Sequence, residues 1–178
     1  RGHGVKLLDA GPDPRQLKTP PPARSTALMP LSLETLTDLG AWPRVAHMSQ
    51  PLDKLRLIDD QADRWTNPVI EIFSADEITD TPFGSNIINT DLTAALLDLA
   101  DDTDGLSLHY DSAVESWKPG EVTLADGIVM TGDLMFDCAG RHSPVPAQAG
   151  IAIKDHRPNQ IALVCQIEHS IDHDNIST

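Results

Sequence analysis

The chain is short of cysteine, short of positive charge and without a long apolar run, and each shortage removes a class of function. Its two cysteines, Cys138 and Cys165, sit in separate apolar stretches that read as buried strands. They are expected as small core residues and not as a disulfide or metal pair, in keeping with a reducing, cytoplasmic setting. Lysine and arginine together number 13 against 27 acidic residues, a net charge of −14. So acidic a surface repels phosphates and anionic lipid heads, which argues against nucleic acid as a partner. No stretch approaches the roughly 20 apolar residues that a bilayer-spanning helix needs, so no transmembrane segment is expected. The first residues carry neither a signal-peptide pattern nor an initiating Met, and the start at Arg1 suggests a trimmed or truncated chain. There is no internal repeat and no low-complexity tract.

With 178 residues there is room for one domain, or for two interleaved small ones, around a real core. Val5 to Ala10 reads as a short apolar strand closed by Gly11-Pro12-Asp13-Pro14, and the proline-rich stretch to Ala23 as a surface loop. Leu33, Leu36 and Leu39 recur at helical spacing, with Ser32 placed to cap the first turn and Gly40 to close the last. That predicts a helix over 32–39. Leu52 to Asp59 and Val69 to Phe73 alternate with the two-residue period of half-buried strands and are expected to pair. Thr90 and Asp91 open a second helix whose Leu92, Ala95, Leu96 and Leu99 form one face, ending at the acidic turn from Asp101 to Gly105. Four short strands follow, Leu106 to Tyr110, Ala113 to Trp117, Val122 to Leu124 and Ile128 to Met130. Lys118-Pro119-Gly120 and Asp126-Gly127 supply hairpin turns between them. Leu134 to Cys138 and Ile161 to Ile167 are more continuously apolar and are expected as buried strands. Buried runs beside half-exposed hairpins predict an α/β fold in which a parallel nucleotide-binding sheet is interrupted by an antiparallel one.

Several residues carry chemistry. An acidic side chain at the end of a strand suits ribose hydroxyls, and Asp9 stands in such a place, although on its own an aspartate after a strand is far more often a turn former. His169, Asp172, His173 and Asp174 are metal-ligand types, but their grouping is weak. The acidic turn has the outline of a calcium loop with Asp102, Asp104 and Gly105, yet Ala100 falls at the first ligand position and Asp111 replaces the closing glutamate. No metal is expected. Neither a Ser-His-Asp order nor a zinc pattern nor a pair of catalytic carboxylates stands out, and no catalytic acid or base can be named.

The stretch Phe136-Asp137-Cys138-Ala139-Gly140-Arg141-His142-Ser143-Pro144-Val145, followed by Gly150-Ile151, resembles the second fingerprint of FAD-dependent aromatic hydroxylases. Taken with Val5-Lys6-Leu7-Leu8-Asp9-Ala10 and Phe83-Gly84-Ser85-Asn86-Ile87, it is most similar to the ubiquinone-biosynthesis branch of that family. The resemblance runs nearly end to end. The family's N-terminal Gly-x-Gly-x-x-Gly turn and its later Gly-Asp motif lie outside the chain, so the resemblance implies an internal piece of an enzyme. It also implies a partial Rossmann-like FAD-binding sheet interleaved with an antiparallel β substrate domain, an α/β fold that is α+β in this piece. Residues 1–50 and 84–150 would belong to the FAD-binding domain, and 51–83 and 151–178 to the substrate-binding sheet.

By the same resemblance Asp9 would hold the ribose, Arg24 would reach the flavin phosphates as a guanidinium fork, and Gly140, Arg141 and Ser143 would line the cofactor loop. For Arg24 the other reading is a solvated loop arginine. The family pattern is Asp-Gly-Arg-x-Ser-x-Val-Arg; here Ala139 replaces the aspartate and Pro146 the final arginine, which removes one carboxylate and one guanidinium. Asp137, two residues earlier and so on the same face of a strand, is the less favoured alternative source of that carboxylate. Where the family often carries a glutamine in the first helical turn this chain has Thr93, and Asn89 and Thr90 are expected mainly as caps. The activity implied is hydroxylation of a lipophilic aromatic ring, a ubiquinone precursor, with FAD, NAD(P)H and oxygen, the protein supplying position and a dry pocket. Apolar residues around 55–73 and 161–167 would face the substrate. The implied place is cytoplasmic and peripheral to the inner membrane, among ubiquinone-biosynthesis proteins. Two other readings stay open: a different FAD-dependent oxidoreductase of this fold, and a non-catalytic remnant that binds a partner.

Overall fold

A computed structural model describes residues 2–19, 24–59, 69–156 and 158–178. In chain order its elements are β1 (Val5–Leu8), β2 (Ser25–Leu28), α1 (Pro30–Asp38), α2 (Trp42–Val45), β3 (Gln50–Pro51), β4 (Lys54–Asp59), β5 (Val69–Ser74) and β6 (Ser85–Ile88). There follow α3 (Asn89–Asp101), β7 (Leu106–His109), β8 (Val114–Lys118), β9 (Glu121–Leu124), β10 (Val129–Thr131), α4 (Val145–Gln148) and β11 (Ile176–Ser177). The chain divides into two compact units, Arg1–Thr19 with Ala100–Leu163 and Pro20–Leu99 with Val164–Thr178. The fold is mixed α and β, as the sequence predicts.

In the first unit β1 and β7 pair in parallel, with Val5 opposite Leu106 and Leu8 opposite His109. The meander β8-β9-β10 is antiparallel, with an irregularity between Val114 and Ser116. Its turns form where the sequence puts turn residues. Asp126 Oδ1 accepts the Ile128 N–H at 2.9 Å, and Lys118 pairs with Glu121 at 2.8 Å across the Pro119-Gly120 turn. Among the described residues Leu124 and Val145 are the buried apolar side chains of this unit.

The second unit holds the larger core. Leu28, Val45, Ile87 and Ala95 form it, with Leu33, Leu36, Trp42 and Leu92 packed around them, so β2, β6, α1, α2 and α3 meet there. The sheet order is β2-β6-β3, all antiparallel. Helix α1 starts at Pro30, two residues before the predicted Ser32 cap. A proline at the first helical position has a φ already suited to the helix and no N–H to leave unpaired, which outweighs a serine cap further in. Gly84 lies before β6 because nothing larger fits: a Cβ there would run into the Leu28 carbonyl oxygen. The predicted pairing of the two alternating strands is present in full register, from Lys54 opposite Ser74 to Asp59 opposite Val69. A short parallel strand, β11, adds to β4, tied by Asn175 Nδ2 to Asp53 Oδ2 at 3.0 Å.

Several expectations are corrected. Residues 134–138 and 161–167 are irregular, not strands, and Phe136 and Leu163 are 79% and 94% exposed. An apolar run has no intrinsic backbone preference strong enough to make a strand; it needs a ladder partner, and among the described residues these runs have none. Cys138 and Cys165 lie in those runs and are exposed free thiols instead of core residues. The loop expected up to Ala23 contains a one-turn 3-10 helix, Pro14–Gln16, and its residues 20–23 fall outside the described set.

Candidate functional site

Asp9 follows directly on β1. Its N–H donates to the His109 carbonyl at 2.9 Å and its own carbonyl accepts from Ser112 N at 2.7 Å, so the parallel pairing continues past the strand ends. Gly11 O accepts from Asp111 N at 2.8 Å, and Asp111 adopts the left-handed conformation, φ 52°, to do so. The Asp9 side chain uses one oxygen, Oδ1, to accept the Gly11 N–H at 2.7 Å, an Asx turn. Its other oxygen has no partner among the described residues and the side chain is exposed. Asp9 is thus turn former and available acceptor together.

The loop after Asp9 is fixed by residues that sequence reading passes over. Arg15 donates from Nε to Asp13 Oδ1 at 3.0 Å and from Nη2 to Asp13 Oδ2 at 2.9 Å. Its Nη1 reaches Asp101 Oδ2, at the end of α3, at 2.6 Å, and Nη2 lies 3.4 Å from the Tyr110 hydroxyl. The hydrogen bonds from Arg15 hold the Asp13 carboxyl below the usual carboxylate range, and burial pushes the Tyr110 phenol above its ordinary value. Asp13 and Arg15 are adjacent enough to suspect from sequence. Asp101 and Tyr110 are 86 and 95 residues away from Arg15, and no local pattern could have linked them.

The fingerprint folds as a tight turn. Gly140 takes φ 78°, a conformation that favours glycine, and opens the 3-10 turn Gly140–His142. Ser143 N donates back to Gly140 O at 3.1 Å, and the Ser143 hydroxyl accepts the Val145 N–H at 3.2 Å at the start of α4. Arg141 is exposed, and its guanidinium has no partner among the described residues. Asp137 is not on a strand face beside Ala139; its Oδ1 accepts the Ala139 N–H at 3.2 Å. A second unforeseen residue fixes this turn from behind. The Gln148 amide accepts the Trp117 N–H at 2.6 Å and donates to the Glu115 carbonyl at 2.9 Å, gripping the backbone of β8.

Asp9, Gly140, Arg141 and Ser143 belong to the first unit, and Arg24 to the second. Arg24 is exposed, and its carbonyl accepts the Asn89 N–H at 2.7 Å. Asn89 does not cap its helix; its side-chain oxygen accepts the Thr26 hydroxyl, fastening β2 to the start of α3. Among the described residues no three His, Cys, Asp or Glu side chains are grouped to hold a metal ion, and no helix is long and apolar enough to cross a membrane.

No protein-family model and no curated protein matches the sequence. Solved structures match the fold. PqsL of Pseudomonas aeruginosa, described as a probable FAD-dependent monooxygenase, aligns with a TM-score of 0.67 at 15% identity over 88% of this chain and 41% of its own. The Diels-Alderase PyrE3 of pyrroindomycin biosynthesis gives 0.63 at 20% identity over 84% and 30%. The tetracycline destructase Tet(51) gives 0.53 at 17% over 83% and 35%. The chain therefore spans less than half the length of these proteins. It shares its fold with part of each of these proteins.

Proposed function

We propose that the chain is part of an FAD-dependent monooxygenase that hydroxylates a lipophilic aromatic ring, a ubiquinone precursor, using NAD(P)H and oxygen. The observation that carries this reading is Asp9: a carboxylate at the carboxyl end of a parallel strand, with one oxygen committed to its own turn and the other without a partner among the described residues, in a fold shared with PqsL. The residues present fit the adenosine and phosphate end of FAD. In the first unit Asp9 would accept from ribose hydroxyls, Arg141 offers an exposed guanidinium fork to phosphate oxygens, and Gly140 allows the backbone close approach; for Arg24, in the second unit, a phosphate role rests on the sequence resemblance alone. When bound, FAD supplies oxygen activation and electron transfer; these side chains only bind and orient it. Residues 1–50 and 84–150 would serve the cofactor and 51–83 with 151–178 the substrate, whose lipophilic ring suits the half-exposed apolar strands β4 and β5. The ubiquinone branch, and a place beside the inner membrane with other ubiquinone-biosynthesis proteins, rest on the sequence resemblance alone.

One observation favours a second reading. The fingerprint lacks the family carboxylate at Ala139, and Asp137, which gives one oxygen to the Ala139 N–H, lies in an irregular segment and not on a strand face beside that position. A partner-binding remnant, or an enzyme of this fold with other chemistry, follows if cofactor binding has been lost; the Diels-Alderase among the neighbours illustrates how varied the chemistry of one fold is. The test is FAD retention and substrate-dependent NAD(P)H oxidation, measured on the 178 residues and on a longer chain carrying the parent's flanking sequence. We expect weak FAD binding and no turnover from the former and both activities from the latter. Neither activity in either chain would leave the remnant reading standing.

A further inference from the structure

We propose that Arg15 is a positioning residue for the nucleotide, acting by locking the turn that presents Asp9. This rests on the reading of Asp9 as a ribose ligand. Isolated surface ion pairs contribute little, but Arg15 is not one: its fork is used on both edges, both Asp13 oxygens are engaged, and the Asp13 side chain is 10% exposed. The second carboxylate, Asp101, and the Tyr110 hydroxyl belong to distant parts of the chain, so the guanidinium fastens the loop to the end of α3 and to the exit of β7. Between Asp9 and Arg15 there is little slack. Pro12 and Pro14 fix two φ angles, Asp13 Oδ1 also accepts the Arg15 N–H at 3.0 Å, and Gly11 is bonded to the Asp9 side chain and to Asp111. Removing the Arg15 fork frees the far end of this turn, and with it the rotamer of Asp9. Because two carboxylates already occupy its fork, Arg15 is committed to the loop and not to a phosphate.

The test uses the 178-residue chain, with FAD as the probe, titrated to millimolar concentration, and amide exchange read without FAD. Arg15→Met should raise exchange at Gly11, Asp111 and Ser112 about tenfold while the β9 amides stay as in the wild type, and should weaken FAD about tenfold. Arg15→Lys should recover part of both. On an Asp9→Asn background Arg15→Met should weaken FAD no further, since its effect runs through Asp9. Unchanged exchange at the three amides, or a loss of affinity that adds fully to that of Asp9→Asn, would overturn the proposal; the second result would mean that Arg15 touches the nucleotide itself. Faster exchange at β9 as well would mark a general loss of stability and equally overturn it. If Asp9→Asn binds FAD like the wild type, or neither the 178 residues nor the longer chain with the parent's flanking sequence binds at all, the ribose reading of Asp9 fails and takes the nucleotide role of Arg15 with it, whatever the exchange rates show about the latch.

Discussion

The Asp13 carboxyl is held below its ordinary range chiefly by the side-chain hydrogen bonds from Arg15. Its folded value is thus lower than its unfolded one, so the native state binds this proton less readily. The stabilisation is present above the unfolded value and is lost as pH falls through that value and then through the folded one. Protection of the Gly11 and Arg15 amides, corrected for intrinsic exchange, is expected to hold from neutral pH down to about 4 and to decline below it. Arg15→Met should shrink that step, leaving the part due to the residue-15 backbone N–H and Gln16, which exchange measured across the same pH range will show. Gly84 is constrained by space alone. In Gly84→Ala the new methyl meets the backbone carbonyl of Leu28, which cannot swing aside as a side-chain tip would, so a loss of about 1–3 kcal/mol is expected in a denaturant titration.

Among the elements, those specified by local chemistry are legible in the sequence. The meander is marked by Asp126-Gly127 and Lys118-Pro119-Gly120, α3 by its apolar face, and the β4-β5 pair by alternation. Each is built from neighbours along the chain or from a repeating period. The runs at 134–138 and 161–167 are misread because an apolar composition states what a segment would bury, not whether a partner strand lies beside it. The residues of the candidate site divide the same way. Asp9 and Gly140 announce themselves at a strand end and in a motif, whereas Arg15 and Gln148 act through contacts that only the folded chain brings together. For Gln148 the expectation is that Gln148→Met loses both bonds to β8 and frees α4 together with the Gly140 turn. Exchange at the Trp117 amide should accelerate, with a cost of about 1 kcal/mol, since the groups released remain open to water.

Across the whole molecule, apolar burial is uneven. Ile87 and Val45 are fully enclosed, while Leu134, Phe136, Ile161 and Leu163 are each at least 76% exposed. Ile87→Ala should therefore cost about 2–5 kcal/mol in thermal or denaturant unfolding. Leu163→Ala should change stability by no more than about 0.5 kcal/mol. With that much apolar surface in water the native chain is expected to bind a hydrophobic dye strongly while keeping its far-UV circular dichroism, and the double substitution Phe136→Ser with Leu163→Ser should dim the dye signal without altering the spectrum. β8 is the edge of its sheet, and the Gln148 amide lies across that edge, offering one acceptor and one donor where a further strand would offer the same. A single side chain thereby acts as a stopper, closing the β8 edge of the meander to sideways growth by a stray strand from another molecule.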